Sequence, residues 1–178
     1  MILIIDNYDS FTYNLVQYIG AINQNIKIIK NDEITIEEIQ GMDISHIVIS
    51  PGPGNPQNTG ICKNLLNTIS YKIPTLGICL GHQLIGFIYN GNIVNSKKIM
   101  HGKVSTIKHN NNSPLFKNVP ISFQATRYHS LCIEKTFNNK NIKITARTNK
   151  NEIMAIEHIK YPIYGLQFHP ESILTKYG

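Results

Sequence analysis

The sequence predicts an α/β fold, a mostly parallel twisted sheet flanked by helices, with an antiparallel strand-rich second half. Before about Asn92, short apolar runs alternate with stretches whose apolar residues recur at helical spacing, which is typical of parallel strands joined by helices. Beyond that point strand-like runs follow one another with few helical intervals, which favours antiparallel pairing. In such a sheet the functional loops are expected at the carboxyl ends of the parallel strands.

The first half is predicted to alternate strands and helices. Met1 to Ile5 is an unbroken apolar run, as expected of a strand buried on both faces, and Ser10 is the expected N-cap of the next helix. The predicted helices are 11–22, 34–39, 60–71 and 82–89, and the other strands of this half are 26–29, 46–50 and 73–78. The strand-like runs of the second half are 93–94, 104–107, 122–125, 142–146, 153–156 and 163–168.

Length and composition indicate one globular domain over residues 1–178. Hydrophobic residues make up 42% of the chain and charged residues 16%, which excludes an intrinsically disordered protein. No apolar run reaches the roughly 18 to 20 residues that cross a membrane, and Asp6 comes too early for a signal peptide. We therefore expect a protein of the cytoplasm or of an organelle stroma such as the plastid, with no membrane partner.

Charge and motif content exclude several other classes of function. The net charge is +6, but only two of the 17 basic residues are arginines and the lysines are scattered, so nucleic-acid binding is not expected. Neither a G-x-G-x-x-G run after the first strand nor a Walker lysine is present, so nucleotide binding has no support. The three cysteines lack C-x-x-C spacing and the histidines lack a metal-ligand pattern, so neither a disulfide framework nor a metal site is expected.

The segment Gly77-Ile-Cys79-Leu-Gly81 lies between a predicted strand and a predicted helix. It is a G-x-C-x-G nucleophile elbow, in which glycines on both sides of the nucleophile permit a sharp turn that exposes it. The positive end of the helix dipole would favour the thiolate, which is the attacking form. The alternative is a small buried hydrophobic residue, which is how we interpret Cys62 and Cys132.

A cysteine nucleophile needs a base, and His169 at the end of the last strand-like run is the candidate. Pro170 favours an extended backbone at His169, in which Glu171 would lie on the same side as the imidazole and orient it. Cys79, His169 and Glu171 would thus form a catalytic triad. Its chain order differs from that of the α/β-hydrolases, which place the acid before the histidine. His82 lies one helical turn beyond Cys79, pointing away from the elbow, and is therefore not the expected base.

Acyl chemistry also needs hydrogen-bond donors for the oxyanion. The segment Pro51-Gly-Pro-Gly-Asn-Pro56 follows a predicted strand, and a glycine backbone can approach a substrate closely. We expect the backbone amides of Gly52 and Leu80 to be the oxyanion donors. The alternative is that the segment forms only a turn.

Six segments together resemble the class I, triad-type, glutamine amidotransferases, and the resemblance covers essentially the whole chain. The pattern is that of the glutaminase subunits of anthranilate synthase, and the glutaminase subunits of 4-amino-4-deoxychorismate synthase share most of it. The segments are 6–14 (DNYDSFTYN), 50–56 (SPGPGNP), 77–83 (GICLGHQ), 101–103 (HGK), 127–131 (RYHSL) and 168–172 (FHPES).

This resemblance implies a substrate, a partner and further site residues. The chain would hydrolyse glutamine and deliver ammonia to a chorismate-binding synthase subunit. It would hold no cofactor, and Mg²⁺ would be required by that partner. Residues 101–103 would lie toward the partner. The resemblance implies that the glutamine site is lined by Gly52, Pro53 and Gly54 and that glutamine is contacted by Gln83, Ser130 and Leu131.

Several alternatives remain open on the sequence. Within the family, Gly54 favours anthranilate synthase over 4-amino-4-deoxychorismate synthase by resemblance, and one chain could serve both. The small chain of carbamoyl-phosphate synthetase would carry a large additional N-terminal domain. Outside these, the chain could be a catalytically silent regulatory subunit, against which the retained triad argues, or a free-standing cysteine peptidase or γ-glutamyl hydrolase.

Overall fold

The computed structural model describes residues 1–178 as eleven strands, four α-helices and one short 3₁₀ helix, Pro114–Phe116. The elements of the first half are β1 (Ile2–Asp6), α1 (Thr12–Gly20), β2 (Ile26–Lys30), α2 (Ile36–Gln40), β3 (His46–Ile49), α3 (Cys62–Thr68), β4 (Thr75–Ile78) and α4 (Leu80–Ile88). Those of the second half are β5 (Ile93–Asn95), β6 (Lys103–His109), β7 (Ser122–Arg127), β8 (Leu131–Ile133), β9 (Ile142–Thr148), β10 (Ile153–His158) and β11 (Ile163–Leu166).

Nine strands form one sheet in the order β2-β1-β3-β4-β11-β10-β9-β6-β7, while β5 pairs with β8 in a separate two-stranded sheet. Neighbours from β2 to β11 run parallel, and neighbours from β11 to β7 run antiparallel. The predicted fold class is therefore confirmed. The last strand of the chain, β11, lies beside β4, so residues far apart in sequence follow adjacent parallel strands at the same edge.

Helices cover both faces of the parallel part of the sheet. Leu3 and Ile5 of β1 belong to a cluster of 18 buried residues that includes side chains of α3 and α4. Ile4, which points to the other face, packs in a smaller cluster with Leu15 of α1. Burying each such side chain contributes about 1.5–3 kcal/mol, so the sheet is fixed between its helices. No helix of the chain combines the length and the apolar character that a membrane crossing requires.

Local sequence signals located the elements but misplaced some of their ends. Ser10 is not the N-cap of α1, which begins at Thr12 after Phe11. A carboxylate supplies the local hydrogen bond instead, because Asp9 Oδ2 accepts from the backbone N–H of Phe11 at 2.9 Å. The helices α1 and α3 are also shorter than predicted, and β8 was not predicted. Its three residues pair only with β5, outside the main sheet.

Candidate active site

Cys79 occupies the sharp turn between β4 and α4. Its backbone has φ +52° and ψ −95°, a conformation that an L-residue rarely adopts and that costs about 1–3 kcal/mol. The flanking glycines are needed for space: a Cβ at Gly77 would lie 2.6 Å from the carbonyl oxygen of Gly81. A Cβ at Gly81 would lie 2.8 Å from the carbonyl oxygen of Ile49. The geometry is that of the elbow predicted from the sequence.

A small cavity opens beside Cys79, with a volume of about 180 Å³. A water molecule occupies about 30 Å³ in the liquid, so this space suits a ligand of amino-acid size. Its walls bring together every residue that the sequence implicated in glutamine and oxyanion binding. These lining residues are Gly52, Pro53, Gly54, Leu80, Gln83, Ser130 and Leu131.

His169 and Glu171 lie buried next to the elbow. The Nδ1 of His169 is 2.6 Å from Oε1 of Glu171, and both side chains are almost fully enclosed. The backbone N–H of His169 donates to the carbonyl of Thr126 at 2.9 Å, which fixes the segment against β7. His169 forms an antiparallel bridge with Thr126, in agreement with the extended backbone predicted at this residue. The chain then turns at Pro170 and Glu171, and this turn, instead of a continued extended backbone, brings the carboxylate to the ring.

The environment of His169 favours its charged form. Burial alone lowers the pKa of the imidazole, but the nearby Cys79 sulfur and the Glu171 carboxylate outweigh burial and raise this pKa from 6.5 to about 10. Because Glu171 engages Nδ1, only Nε2 is left to face Cys79 and a substrate, and Nε2 has no hydrogen-bond partner within the chain. An imidazolium beside a sulfur stabilises the thiolate.

The loop predicted to bind the oxyanion is held by three polar side chains. The backbone N–H of Asn7 donates to Oγ of Ser50 at 2.9 Å, and Nδ2 of Asn7 donates to the carbonyl of Ser50 at 2.9 Å. Asn31 in turn donates to Oδ1 of Asn7 at 2.8 Å. Gly52 lies so close to Asn7 that an added Cβ would meet its backbone oxygen at 2.6 Å. Asn7 thus sets the position of Gly52, a role the sequence did not reveal.

The two expected oxyanion donors have no competing acceptor. The amide N–H of Gly52 makes no hydrogen bond within the chain. Leu80 is the first residue of α4, and the first N–H groups of a helix have no intrahelical partner. Both residues line the cavity beside Cys79. The arrangement can therefore stabilise a negative oxygen formed next to the sulfur.

Two cavity residues were missed from the sequence, Tyr128 and His129. The ring of Tyr128 packs edge-on against His169, with centroids 5.1 Å apart. Burial, followed by the charge of Arg127, lowers the pKa of His129 to about 4, so this ring is neutral at physiological pH. Both lie in segment 127–131, one of the six that carry the family resemblance, and that membership was the signal that could have found them.

The remaining histidines and cysteines lie outside this arrangement. His82 is completely buried, and desolvation lowers its pKa to about 3, which agrees with the view that it is not the base. Cys62 is buried beneath Asn7, and burial raises the pKa of its thiol to about 12. No group of three His, Cys, Asp or Glu side chains that could hold a metal ion is present.

Comparison with known proteins agrees with this geometry. The family model described as glutamine amidotransferase class-I matches residues 3–178. The anthranilate synthase component 2 of Cyanophora paradoxa is 48% identical over all of this chain and 94% of that protein. The aminodeoxychorismate/anthranilate synthase component 2 of Bacillus subtilis is 46% identical over all of this chain and 91% of that protein. The bifunctional protein TrpGD of Thermotoga maritima is 49% identical over 99% of this chain, which spans 30% of its length.

Solved structures agree on the fold. A putative GMP synthase subunit of Thermoplasma acidophilum has a TM-score of 0.85 at 22% identity, over 99% of this chain and 86% of that one. A glutamine amidotransferase of Thermotoga maritima has a TM-score of 0.75 at 17% identity, over 96% of this chain and 75% of that one. The family resemblance read from the sequence is thus confirmed by relatives at 46–48% identity that this chain covers to more than nine-tenths of their length. The chain belongs to the class I glutamine amidotransferase family.

Proposed function

We propose that this chain is the glutaminase subunit of anthranilate synthase, which hydrolyses glutamine and delivers ammonia to a chorismate-binding synthase subunit. The observation that carries the proposal is the buried pair of His169 and Glu171, 2.6 Å apart, beside Cys79 at the elbow. Relatives named anthranilate synthase component 2 support the choice of pathway. The proposed compartment is that of the partner, the cytoplasm or an organelle stroma.

The proposed reaction uses each triad residue in a defined step. The Cys79 thiolate attacks the side-chain carbonyl carbon of glutamine, and the amides of Gly52 and Leu80 hold the resulting oxyanion. Collapse of this intermediate breaks the carbon–nitrogen bond, and His169 donates its Nε2 proton to the departing ammonia. The neutral imidazole then takes a proton from water, which attacks the γ-glutamyl thioester and releases glutamate.

The raised pKa of His169 favours the charged ring at rest. In this proposal the sulfur attacks as the thiolate of an ion pair with that ring. His169 therefore acts first as the acid and only afterwards as the base. Glu171 compensates the buried positive charge and keeps Nδ1 protonated, which holds Nε2 toward the reaction.

Ammonia must reach its acceptor without entering water, where at neutral pH it becomes non-nucleophilic ammonium. Support for a docking side comes from residues 101–103, which flank the cavity wall. His101 packs edge-on against Tyr128 with centroids 5.7 Å apart, and Gly102 approaches the same ring. In this proposal the partner covers this side and continues the enclosed route. Any Mg²⁺ is bound by the partner and not by this chain.

Reconstitution of the complex tests the proposal. The chain is purified with the chorismate-using subunit of the same organism, and 2-aminobenzoate is measured with glutamine or with ammonium as the nitrogen source. Cys79→Ser is expected to abolish the glutamine-dependent reaction and to leave the ammonium-dependent reaction intact. Loss of both reactions, or survival of both, would contradict the division of labour.

A second candidate is a subunit that also serves 4-amino-4-deoxychorismate synthase, because the Bacillus subtilis relative carries both names. Gly54 does not separate the two, since its φ of +81° by itself favours glycine whichever synthase is the partner. The product formed from chorismate distinguishes them. A silent regulatory subunit would release no glutamate from glutamine, whereas a γ-glutamyl hydrolase or peptidase would act without any partner.

A further inference from the structure

A buried amide lies behind the nucleophile and has no part in the mechanism above. The side chain of Gln167 is fully buried, and its Nε2 lies 3.6 Å from Sγ of Cys79, within hydrogen-bond distance for sulfur. Gln167 does not line the cavity beside Cys79. Its amide can therefore act on the sulfur without being a contact for glutamine.

Sheet register places the two residues together. In the parallel pair of β4 and β11, Ile78 is opposite Leu166, so Cys79 and Gln167 each follow directly after their strand. The backbone N–H of Cys79 donates to the carbonyl of Leu166 at 2.7 Å. The backbone N–H of Gln167 donates to the carbonyl of Met154 at 2.9 Å. Both ends of the contact thus rest on hydrogen-bonded backbone.

The orientation of the Gln167 amide is fixed by a chain of hydrogen bonds. The carbonyl of Leu131 can only accept, so Gln83 presents its Nε2–H₂ group there, at 2.8 Å. The same nitrogen faces Gln167 at 3.2 Å, so Gln167 presents its oxygen to Gln83. The Nε2–H₂ group of Gln167 is then left facing the sulfur of Cys79.

The carbonyl of Leu131, which accepts from Gln83, is also held by His129, whose tautomer the structure assigns. Arg127 Nε can only donate, and it lies 3.0 Å from Nε2 of His129, so that nitrogen carries no proton. Nδ1 of His129 must then carry the proton, which it donates to the carbonyl of Leu131 at 2.8 Å. His129 and Gln83 thus both donate to the carbonyl of Leu131, and each donor and acceptor between Arg127 and the sulfur is assigned.

We propose that Gln167 is a further catalytic residue, whose Nε2–H donates to the Cys79 thiolate, and that Gln83 is the positioning residue that orients it. The inference rests on the proposed glutaminase function. A thiolate accepts this hydrogen bond far better than a thiol does, so the contact favours the attacking form. It favours the same thiolate again when sulfur leaves the thioester. No bond to Gln167 forms or breaks.

Alkylation of Cys79 by iodoacetamide in the full chain tests the contact without glutamine. The rate is followed at Cys79 by peptide mass spectrometry as a function of pH. Gln167→Met removes the donor at similar volume, and we expect the midpoint of this curve to move upward by about one to two pH units. This equals a 10- to 100-fold change in the proton equilibrium, as for loss of a hydrogen bond to a charged group. The acidic limb of the pH profile of kcat/KM for glutamine, measured in the complex, should shift upward by the same amount. The KM for glutamine should not change.

Two further variants keep the test decisive. Gln124→Met removes an exposed amide that donates to Thr106 at 2.8 Å, and should shift nothing. Gln167→Glu preserves shape, places a carboxylate against the sulfur, and should raise the midpoint at least as far as methionine does. If Gln167→Met fails to fold, Gln167→Glu alone tests the contact. A midpoint that stays at the wild-type value in the folded Gln167 variants, or a raised KM with an unmoved midpoint, would overturn the role. Absence of glutamine hydrolysis by the wild-type complex would instead refute the proposed function, while the alkylation result would stand.

Discussion

Replacing Glu171 by glutamine tests how the protein maintains a charged imidazole in its interior. The variant keeps the shape of the side chain but removes the negative charge 2.6 Å from Nδ1 of His169. Oε2 of Glu171 is buried without a partner, so the new amide nitrogen would face the same unsatisfied position. A buried hydrogen bond between charged groups contributes about 1.5–3 kcal/mol, so kcat for glutamine hydrolysis should fall about 10- to 100-fold.

The same substitution has a pH signature in stability. The folded-state pKa of His169, about 10, lies above its ordinary value of 6.5. The stabilisation linked to its proton is therefore complete below about pH 6.5 and is lost as the pH rises toward 10. The free energy of unfolding of Glu171→Gln should fall below that of the wild type by about 1–3 kcal/mol at neutral pH. This difference should shrink toward pH 10.

The assays are glutamate release by the complex and urea unfolding of the chain between pH 6.5 and 10. The matched control is Glu157→Gln. Glu157 lies on β10, and its buried carboxylate pairs with Lys143 at 3.0 Å. The kcat of this variant should equal that of the wild type. A decrease in kcat of less than twofold for Glu171→Gln, together with a pH-independent stability difference, would refute the assignment of Glu171 as the group that supports the imidazolium.

Two other predictions concern the oxyanion loop and the buried histidine of α4. Gly52→Ala should lower kcat by about 10²- to 10³-fold, the cost of losing one oxyanion donor, because the new Cβ would lie 2.6 Å from the backbone oxygen of Asn7 and displace the loop. Steady-state kinetics with a melting curve would check it, and an unchanged kcat would exclude Gly52 as a donor. The pKa of His82 is lowered by burial to about 3, so the unfolded chain binds the extra proton and stability should decrease as the pH falls from 6.5 toward 3. His82→Leu should reduce this decrease, measured as the difference between the free energies of urea unfolding at pH 7 and pH 5. The same difference in both proteins would contradict the reasoning.

Features that depend on neighbouring residues could be read from the sequence. The elbow at Cys79 is one, because its sharp turn needs small residues on both sides, and Gly77 and Gly81 stand there. The strands and helices of the first half are another, since the period of apolar residues is a local property. Ser10 marks the limit of this approach, because the side chain of Asp9, and not that of Ser10, accepts the hydrogen bond from the backbone N–H of Phe11 just before α1.

Contacts between distant segments were decided by the tertiary structure alone. The pairing of β11 with β4 brings His169 and Gln167 to Cys79, and no local pattern states which strands are neighbours. The pKa of His169 likewise depends on what surrounds the ring, since burial and its two partners act in opposite directions. Residue types and their order determined which groups are available for chemistry in this protein. Packing determined which of them meet, because hydrogen-bond directions and desolvation exist only once the chain has closed around them.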